Sequence, residues 1–413
     1  MTDDNCKCRF CGSRLETVFA DLGSTPLSNS YVTRADIEAG RDRSYPLVVR
    51  VCEVCFLVQA DEVVRHAEIF DADYTYFSSY SDSWVAHAGR YARAMTERYG
   101  LTSSSLVAEV ASNDGYLLQH FHAAGVPVLG IEPTASTANA AIARGIPTRI
   151  EYFGNVFGRQ LAEEGLQADL IAANNVLAHV PDILDFSAGF RELLKEDGVA
   201  TFEFPHILNL IRDVQFDTIY HEHFSYLGLL TIERIFKRAG LRVFDVEELP
   251  THGGSLRLFA CRLEARHGET PAVEAMRAKE REAKLDSIGG YAGFPARIEN
   301  CLASFRRFLT DVRAAGKTVA AYGAAAKGNT FFNVCGVTAA DIPLIADRSH
   351  AKQGKFLPGS HIPIVSPESL IETRPDYVVI VPWNLASEVR SQLKVLEGSG
   401  TRFVTAIPET RVL

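Results

Sequence analysis

Two CxxC pairs, Cys8-Arg9-Phe10-Cys11 and Cys52-Glu53-Val54-Cys55, constrain the fold of this chain more than any other feature. Four thiolates at that spacing are the usual way to hold a structural metal ion such as zinc. Forty residues separate the pairs, and aromatic and apolar side chains among them can pack round the metal. Each pair reads as a knuckle. Gly12 follows the first, where the chain must fold back, and the second emerges from the strand-like segment 46–51. The alternatives are two disulfides or four unrelated buried thiols, but paired CxxC spacing rarely arises without a metal or redox role. Cys6 is a nearby spare, able to displace Cys8 as ligand. A closed four-thiolate site leaves no open coordination position, so the ion supports folding and not chemistry.

At 413 residues and 47% hydrophobic, the chain is long enough for two or three cores besides this module, which is too small to stand without its metal. A formal charge of −9 argues against nucleic acid as the main partner, because phosphate neutralisation needs a concentrated basic surface. The acidic start Met1-Thr2-Asp3-Asp4-Asn5 is no signal peptide, and no run approaches the roughly 20 apolar residues of a membrane helix. Four of the eight cysteines stand at zinc-ligand spacing and Cys261, Cys301 and Cys335 are isolated, which fits a reducing compartment and a cytoplasmic location.

The pattern divides the chain into an α/β protein of three units: a small zinc-binding module at 1–70, a central doubly wound Rossmann-like domain at 71–270, and a helical connector with a second Rossmann-like α/β domain at 271–413. From Leu106 onward short apolar runs (SLVAEVA, VPVLGIE, DLIAANNV, GVATFEF) alternate with helix-length spans, as a doubly wound parallel sheet requires. A charged helical stretch broken at Gly289-Gly290 follows. TVAAYGAAAKGN, DIPLIADRS and DYVVIVPWN then return the strand and turn pattern.

Ligands of such sheets bind outside the carboxyl ends of the strands. The first central strand runs into Ala111-Ser112-Asn113-Asp114-Gly115, a turn entering a helix, and the second ends at Glu132, an acid able to accept from both ribose hydroxyls. The turn lacks GxGxxG and offers no cradle for a pyrophosphate. A nucleoside without phosphates, such as S-adenosylmethionine, fits better than a dinucleotide. The third strand ends at Asn174-Asn175, and His179 just beyond it either reaches the cleft or caps a helix.

The densest polar cluster is Asp217-Thr218-Ile219-Tyr220-His221-Glu222-His223 with Tyr226. HEH lacks the HExxH spacing that places two imidazoles on one helical face, so acid/base chemistry suits it better than a metal. His252-Gly253-Gly254 offers close backbone approach, and Arg257 a charge for an anionic ligand, unless the segment is a simple hairpin turn. In the last unit Lys327, Gly328 and Asn329 open a helix whose N–H groups favour phosphate. No GK[ST] ending follows, so ATP hydrolysis is not expected. Asp347 can bind a ribose. Lys352, Lys355 and Asn384 are further candidates for holding a nucleotide.

Taken together, CRFCGS, VCEVC, EVASNDGYLL, NNVLAHVPD, YHEHFSYL and HGGSLR resemble, in order and over essentially the whole chain, the sugar C-methyltransferases that act on nucleotide-linked keto-deoxysugars in bacterial secondary metabolism. The resemblance implies that Cys8, Cys11, Cys52 and Cys55 hold zinc. It implies that Ala111, Asn113, Gly115, Glu132 and Asn175, with Tyr76, hold S-adenosylmethionine. Tyr220, Glu222 and His223 match the catalytic positions, with His179 facing the sugar. Tyr74, Tyr76 and Tyr80 are expected to supply part of a lid, and Tyr74 and Tyr80 with His252, Arg257, Lys327, Asn329 and Lys355 are the candidates for contacting the nucleotide sugar. Where the family commonly shows EIGSNDG, this chain has EVASNDG, with Ala111 in place of glycine.

The reaction so implied is methyl transfer to the carbon α to the C4 ketone of a thymidine diphosphate-linked 4-keto-deoxysugar, C3 favoured over C5. His223 oriented by Glu222, or Tyr220 acting with it, takes the α proton, and His179 or a neighbouring tyrosine stabilises the enolate. Rival expectations are an NAD(P)-dependent sugar-nucleotide oxidoreductase or epimerase and a non-catalytic sugar-nucleotide-binding protein. One central and one terminal domain facing a shared cleft would function as a monomer.

Overall fold

The computed structural model describes residues 6–63 and 77–413. Strands β1 (Thr17–Pro26), β2 (Ser44–Val51) and β3 (Val58–Ala60) form an antiparallel meander, and the two cysteine knuckles lie just before β1 and between β2 and β3. Its two faces are buried against different parts of the chain. Phe19 stacks on Phe294 with ring centroids 4.5 Å apart, in a core shared with the carboxyl-terminal unit. Cys8, Leu15, Cys52, Cys55 and Leu57 instead join the core of the central sheet. Fully burying one phenylalanine is worth about 1.5–3 kcal/mol, so the module is held by both neighbours as well as by its thiols.

The central sheet contains β4 (Val107–Val110), β5 (Val128–Ile131), β6 (Thr148–Arg149), β7 (Ala168–Asn174) and β8 (Leu194–Pro205), all parallel. Both faces of β4 and β5 are buried, which is why these strands read as unbroken apolar runs rather than as alternations. Strand β9 (Ser225–Tyr226) does not join this sheet; it pairs with β3, stitching the YHEHFSY segment to the zinc module. Strands β10 (Leu241–Leu249) and β11 (Ser255–Arg262) form a hairpin that adds to β8 with β11 antiparallel to it. The order β10-β11-β8-β7-β4-β5-β6 reverses direction between β4 and β7, so the loops after these two strands diverge and open a crevice.

Helices Pro271–Glu282 and Phe294–Ala314 lead to the third sheet. It contains β12 (Val319–Tyr322), β13 (Ile345–Ala346), β14 (Ile364–Val365), β15 (Tyr377–Ile380), β16 (Arg402–Thr405) and β17 (Arg411–Val412), ordered β14-β13-β12-β15-β16-β17. Its reversal point lies between β12 and β15, and there the first turn of helix Ala326–Cys335, carrying Lys327, meets the 3-10 turn Trp383–Leu385. Among the described residues no helix is long and apolar enough to cross a membrane.

Candidate functional site

The Sγ atoms of Cys8, Cys11, Cys52 and Cys55 all lie within 4.8 Å of one another, with Cys8–Cys55 and Cys11–Cys52 each at 3.5 Å. A tetrahedral zinc with Zn–S bonds near 2.3 Å needs edges of about 3.8 Å, so the set fits the ion; disulfides, at about 2.05 Å, are excluded. Each knuckle turns through the left-handed region, at Gly12 (φ 74°) and at Phe56 (φ 61°). The Gln59 amide donates to Cys8 Sγ at 3.2 Å. Cys6 is not a competing ligand: its thiol donates to Asp61 at 3.3 Å, outside the cluster. Arg9, inside the first pair, donates to the Ala60 carbonyl at 2.7 Å and lies over the Phe224 ring at 5.1 Å. The zinc module thus backs directly onto the polar loop of the central domain.

On the crevice side of the central sheet, both oxygens of Glu132 accept backbone N–H groups, from Asn113 and Thr134, each at 2.9 Å. Asn113 Oδ1 accepts from the Ser78 amide. The turn is tight: Ala111, Asn113 and Gly115 all have positive φ, and a Cβ on Gly115 would stand 3.1 Å from Ile146. Ser112 Oγ, Asp114 Oδ1, Asn174 Oδ1 and Asn175 Oδ1 are buried at the carboxyl ends of β4 and β7 with no hydrogen-bond partner among the described residues. Buried acceptors of this kind require donors. The ammonium and ribose hydroxyls of S-adenosylmethionine are donors of that kind, so the residues present fit it. Trp84, His87, Tyr116 and His252 wall the same crevice, with Trp84 4.9 Å from His87 and 5.4 Å from His252.

The HEH segment is neither an extended strand nor a helix but a turn, and its three side chains diverge. His221 Nε2 lies 3.1 Å from the Pro46 carbonyl. Glu222 accepts from Asn29 at 2.7 Å and does not touch His223. His223 Nδ1 lies 2.8 Å from the Thr218 carbonyl, and its ring packs 4.0 Å from Tyr220 and 4.6 Å from His179. The expectation that Glu222 orients His223 is therefore corrected: a carbonyl can only accept, so Nδ1 carries the proton and Nε2 keeps its lone pair. Burial, aided by His179, holds His223 well below the usual histidine range, which keeps it neutral. Burial, opposed by Asn29, pushes Glu222 up to about 7.

His252 Nε2 lies 3.3 Å from Asn175 Nδ2, and burial together with the Lys327 charge pushes the imidazole down to about 4. The Arg257 charge is paired within the protein. Its guanidinium, on a side chain 7% exposed, donates to Glu203 at 2.9 Å and to Glu247 at 3.0 Å. Tyr80 also departs from expectation: it is 75% exposed and stacks on Phe77. Tyr74 and Tyr76 lie outside the described residues.

In the third unit Lys327 donates to Asn384 at 2.9 Å and lies 4.8 Å above the Trp383 ring. Asn329 is buried, and its Nδ2 has no partner among the described residues. Asp347 accepts from the Ala324 and Ser349 amides at 2.8 Å, with Lys352 3.7 Å away. Lys355 stands apart, half-buried beside the Val32–Phe356 bridge.

The structure therefore brings Tyr220, His223 and His179 together, and separately Asn175 and His252. Lys327 faces the central domain from the third sheet. Sequence reasoning missed Asn29, Trp84, His87 and Trp383. One signal was available: the chain has two tryptophans, and both stand at this site.

Three family models match successive stretches of the chain. A family model described as a zinc binding domain matches residues 8–70, a methyltransferase domain matches 84–246, and a C-methyltransferase C-terminal domain matches 250–408. The C-methyltransferase NovU of Streptomyces niveus is 38% identical over 407 residues, covering 98% of this chain and 96% of that protein. Among solved structures, magnesium protoporphyrin IX methyltransferase from Synechocystis is 16% identical, over 46% of this chain and 90% of that one, with a TM-score of 0.36. The glycopeptide N-methyltransferase MtfA is 15% identical, over 42% and 96%, with a TM-score of 0.35.

Proposed function

We propose that this chain, which belongs to the S-adenosylmethionine-dependent C-methyltransferases with an amino-terminal zinc-binding domain, methylates the carbon α to the C4 ketone of a thymidine diphosphate-linked 4-keto-deoxysugar. S-adenosylmethionine supplies an electrophilic methyl group, so the chain's task is to make a sugar carbon nucleophilic. A ketone beside that carbon permits this, because the charge left by proton removal spreads onto oxygen.

The observation that carries the reading is the Thr218 carbonyl on His223 Nδ1. It leaves Nε2 as a neutral, desolvated base between Tyr220 and His179. His223 Nε2 takes the α proton, and Tyr220 or His179 donates to the enolate oxygen. Glu132, Asn113 and Asn175 hold the cofactor across the β4/β7 crevice. Lys327, Asn329 and Asp347 hold the nucleotide diphosphate and ribose from the third sheet, whose helix start favours phosphate.

The test is mass spectrometry of the purified protein with S-adenosylmethionine and a panel of thymidine diphosphate-linked 4-keto-6-deoxysugars in deuterated water. One added methyl group is expected, and NMR of the product assigns it to C3 or C5. His223→Ala is expected to abolish both methylation and deuterium entry. Full turnover by that variant would refute the assignment of the base.

A further inference from the structure

The base is held by a carbonyl, and that carbonyl belongs to a turn which the neighbouring domain grips. Thr218 ends the short 3-10 helix Phe216–Thr218, whose middle residue is Asp217. Asp217 is 1% exposed, and its Oδ2 accepts from Trp383 Nε1 of the third sheet at 2.8 Å. The indole has little freedom. A Cβ on Gly253 would stand 2.3 Å from its ring, so the glycine that follows His252 lies flat against it. Lys327, from the proposed nucleotide loop, covers the ring at 4.8 Å. On the far side Gln215 ties the same turn to the Gly253 carbonyl at 2.8 Å.

Asp217 needs this donor. Burial pushes its carboxyl up to about 6, with the Lys327 charge, the Trp383 hydrogen bond and the backbone amides of Asp217 and Thr218 opposing that rise, and Trp383 is its one side-chain donor among the described residues. Without Nε1–H the buried carboxylate would keep only the backbone amides of Asp217 and Thr218 as neutral donors, and the turn would have to move or take up a proton. A shift of the turn displaces the Thr218 carbonyl, which sets the tautomer and direction of His223.

We infer that Trp383 is a positioning residue for catalysis: through its hydrogen bond to Asp217 it fixes the Thr218 carbonyl and so aims His223 Nε2 at the α proton. This rests on the reading of His223 as the base. It makes the carboxyl-terminal domain part of the catalytic geometry as well as a holder of the nucleotide.

The test uses the full-length enzyme with S-adenosylmethionine and a thymidine diphosphate-linked 4-keto-6-deoxysugar. Trp383→Phe keeps the ring over Gly253 and under Lys327 but removes the donor. It is expected to lower kcat, and deuterium entry at the α carbon, by about 10- to 100-fold, the cost of one hydrogen bond to a charged group. The sugar KM is expected to change by less than about threefold. Asp217→Ala should match it. Asp217→Asn, which keeps an acceptor for the indole, should retain kcat within about threefold. This pair also serves if Trp383→Phe does not fold. A KM rise at unchanged kcat would show that Trp383 only binds nucleotide and would overturn the inference. So would Asp217→Ala with normal exchange. If His223→Ala itself retains exchange, the base assignment falls first, and that outcome does not depend on the Trp383 result.

Discussion

Replacing Arg257 by methionine should destabilise the central sheet far more than it weakens substrate binding. The Glu203 side chain, at the carboxyl end of β8, is 0% exposed and is satisfied by Arg257 at 2.9 Å, His87 at 3.0 Å and Thr251 at 2.9 Å. Burial alone would raise its pKa, but the His87 hydrogen bond and the Arg257 charge hold it at about 2 in place of 4.5. At 1.36 kcal/mol per pKa unit the ionised form is favoured by about 3 kcal/mol. That agrees with the roughly 3–5 kcal/mol lost when one partner of a buried ion pair is removed.

Urea unfolding at pH 7, followed by circular dichroism, should therefore place Arg257→Met about 3 kcal/mol below the wild type. Adding Glu203→Gln should recover most of the loss by removing the stranded charge. Because the folded pKa is depressed, this stabilisation is complete above pH 4.5 and is lost as pH falls towards 2, so the gap between wild type and variant should close over that window. A cost below about 1 kcal/mol, or no rescue by the second change, would refute the argument. If the double variant regained stability but the sugar KM rose tenfold or more, Arg257 would be an anion contact after all.

Three further outcomes are expected. Cys52→Ser should reduce zinc, measured by atomic emission, from about one ion per chain, and should expose the loop behind Phe224 to protease, because Arg9 lies inside the first cysteine pair. Ala111 has φ 59°, a conformation that costs a non-glycine residue about 1–2 kcal/mol, against about 0.5–1 kcal/mol of extra chain entropy for glycine. Ala111→Gly should thus leave stability unchanged or raise it by up to about 1 kcal/mol, as read by thermal unfolding, and a loss of that size would contradict the strain. Glu222 has its folded pKa raised to about 7, so the folded state binds the extra proton and stability falls as pH rises from 4.5 through 7. Glu222→Gln should flatten that slope in denaturation curves, and an unchanged slope would place its origin elsewhere.

Much of this architecture was legible in the chain because it is local. CxxC spacing sets which thiols can meet at one ion. Unbroken apolar runs separated by helix-length spans define a parallel sheet buried on both faces, and such a sheet binds its ligands at the carboxyl ends of its strands wherever the order reverses. The motif order from CRFCGS to HGGSLR marked the family for the same reason: each motif is a turn whose backbone demands, such as the glycines of HGG, are written in adjacent residues.

The directions of side chains were not legible, because they depend on partners far away in sequence. Glu222 stands next to His223 yet hydrogen-bonds Asn29, and His223 takes its orientation from the Thr218 carbonyl five residues back. Arg257 looked like a free cation in a glycine-rich loop, but the pairing of β11 with β8 sets it opposite Glu203. Trp383 read as the end of a strand until the third sheet was seen to press it against Gly253 and Asp217. Spacing along the chain determined which groups could gather at each loop. Only the packing of three units against one another decided where each pointed, because a buried polar side chain turns to whichever partner the tertiary fold leaves within reach.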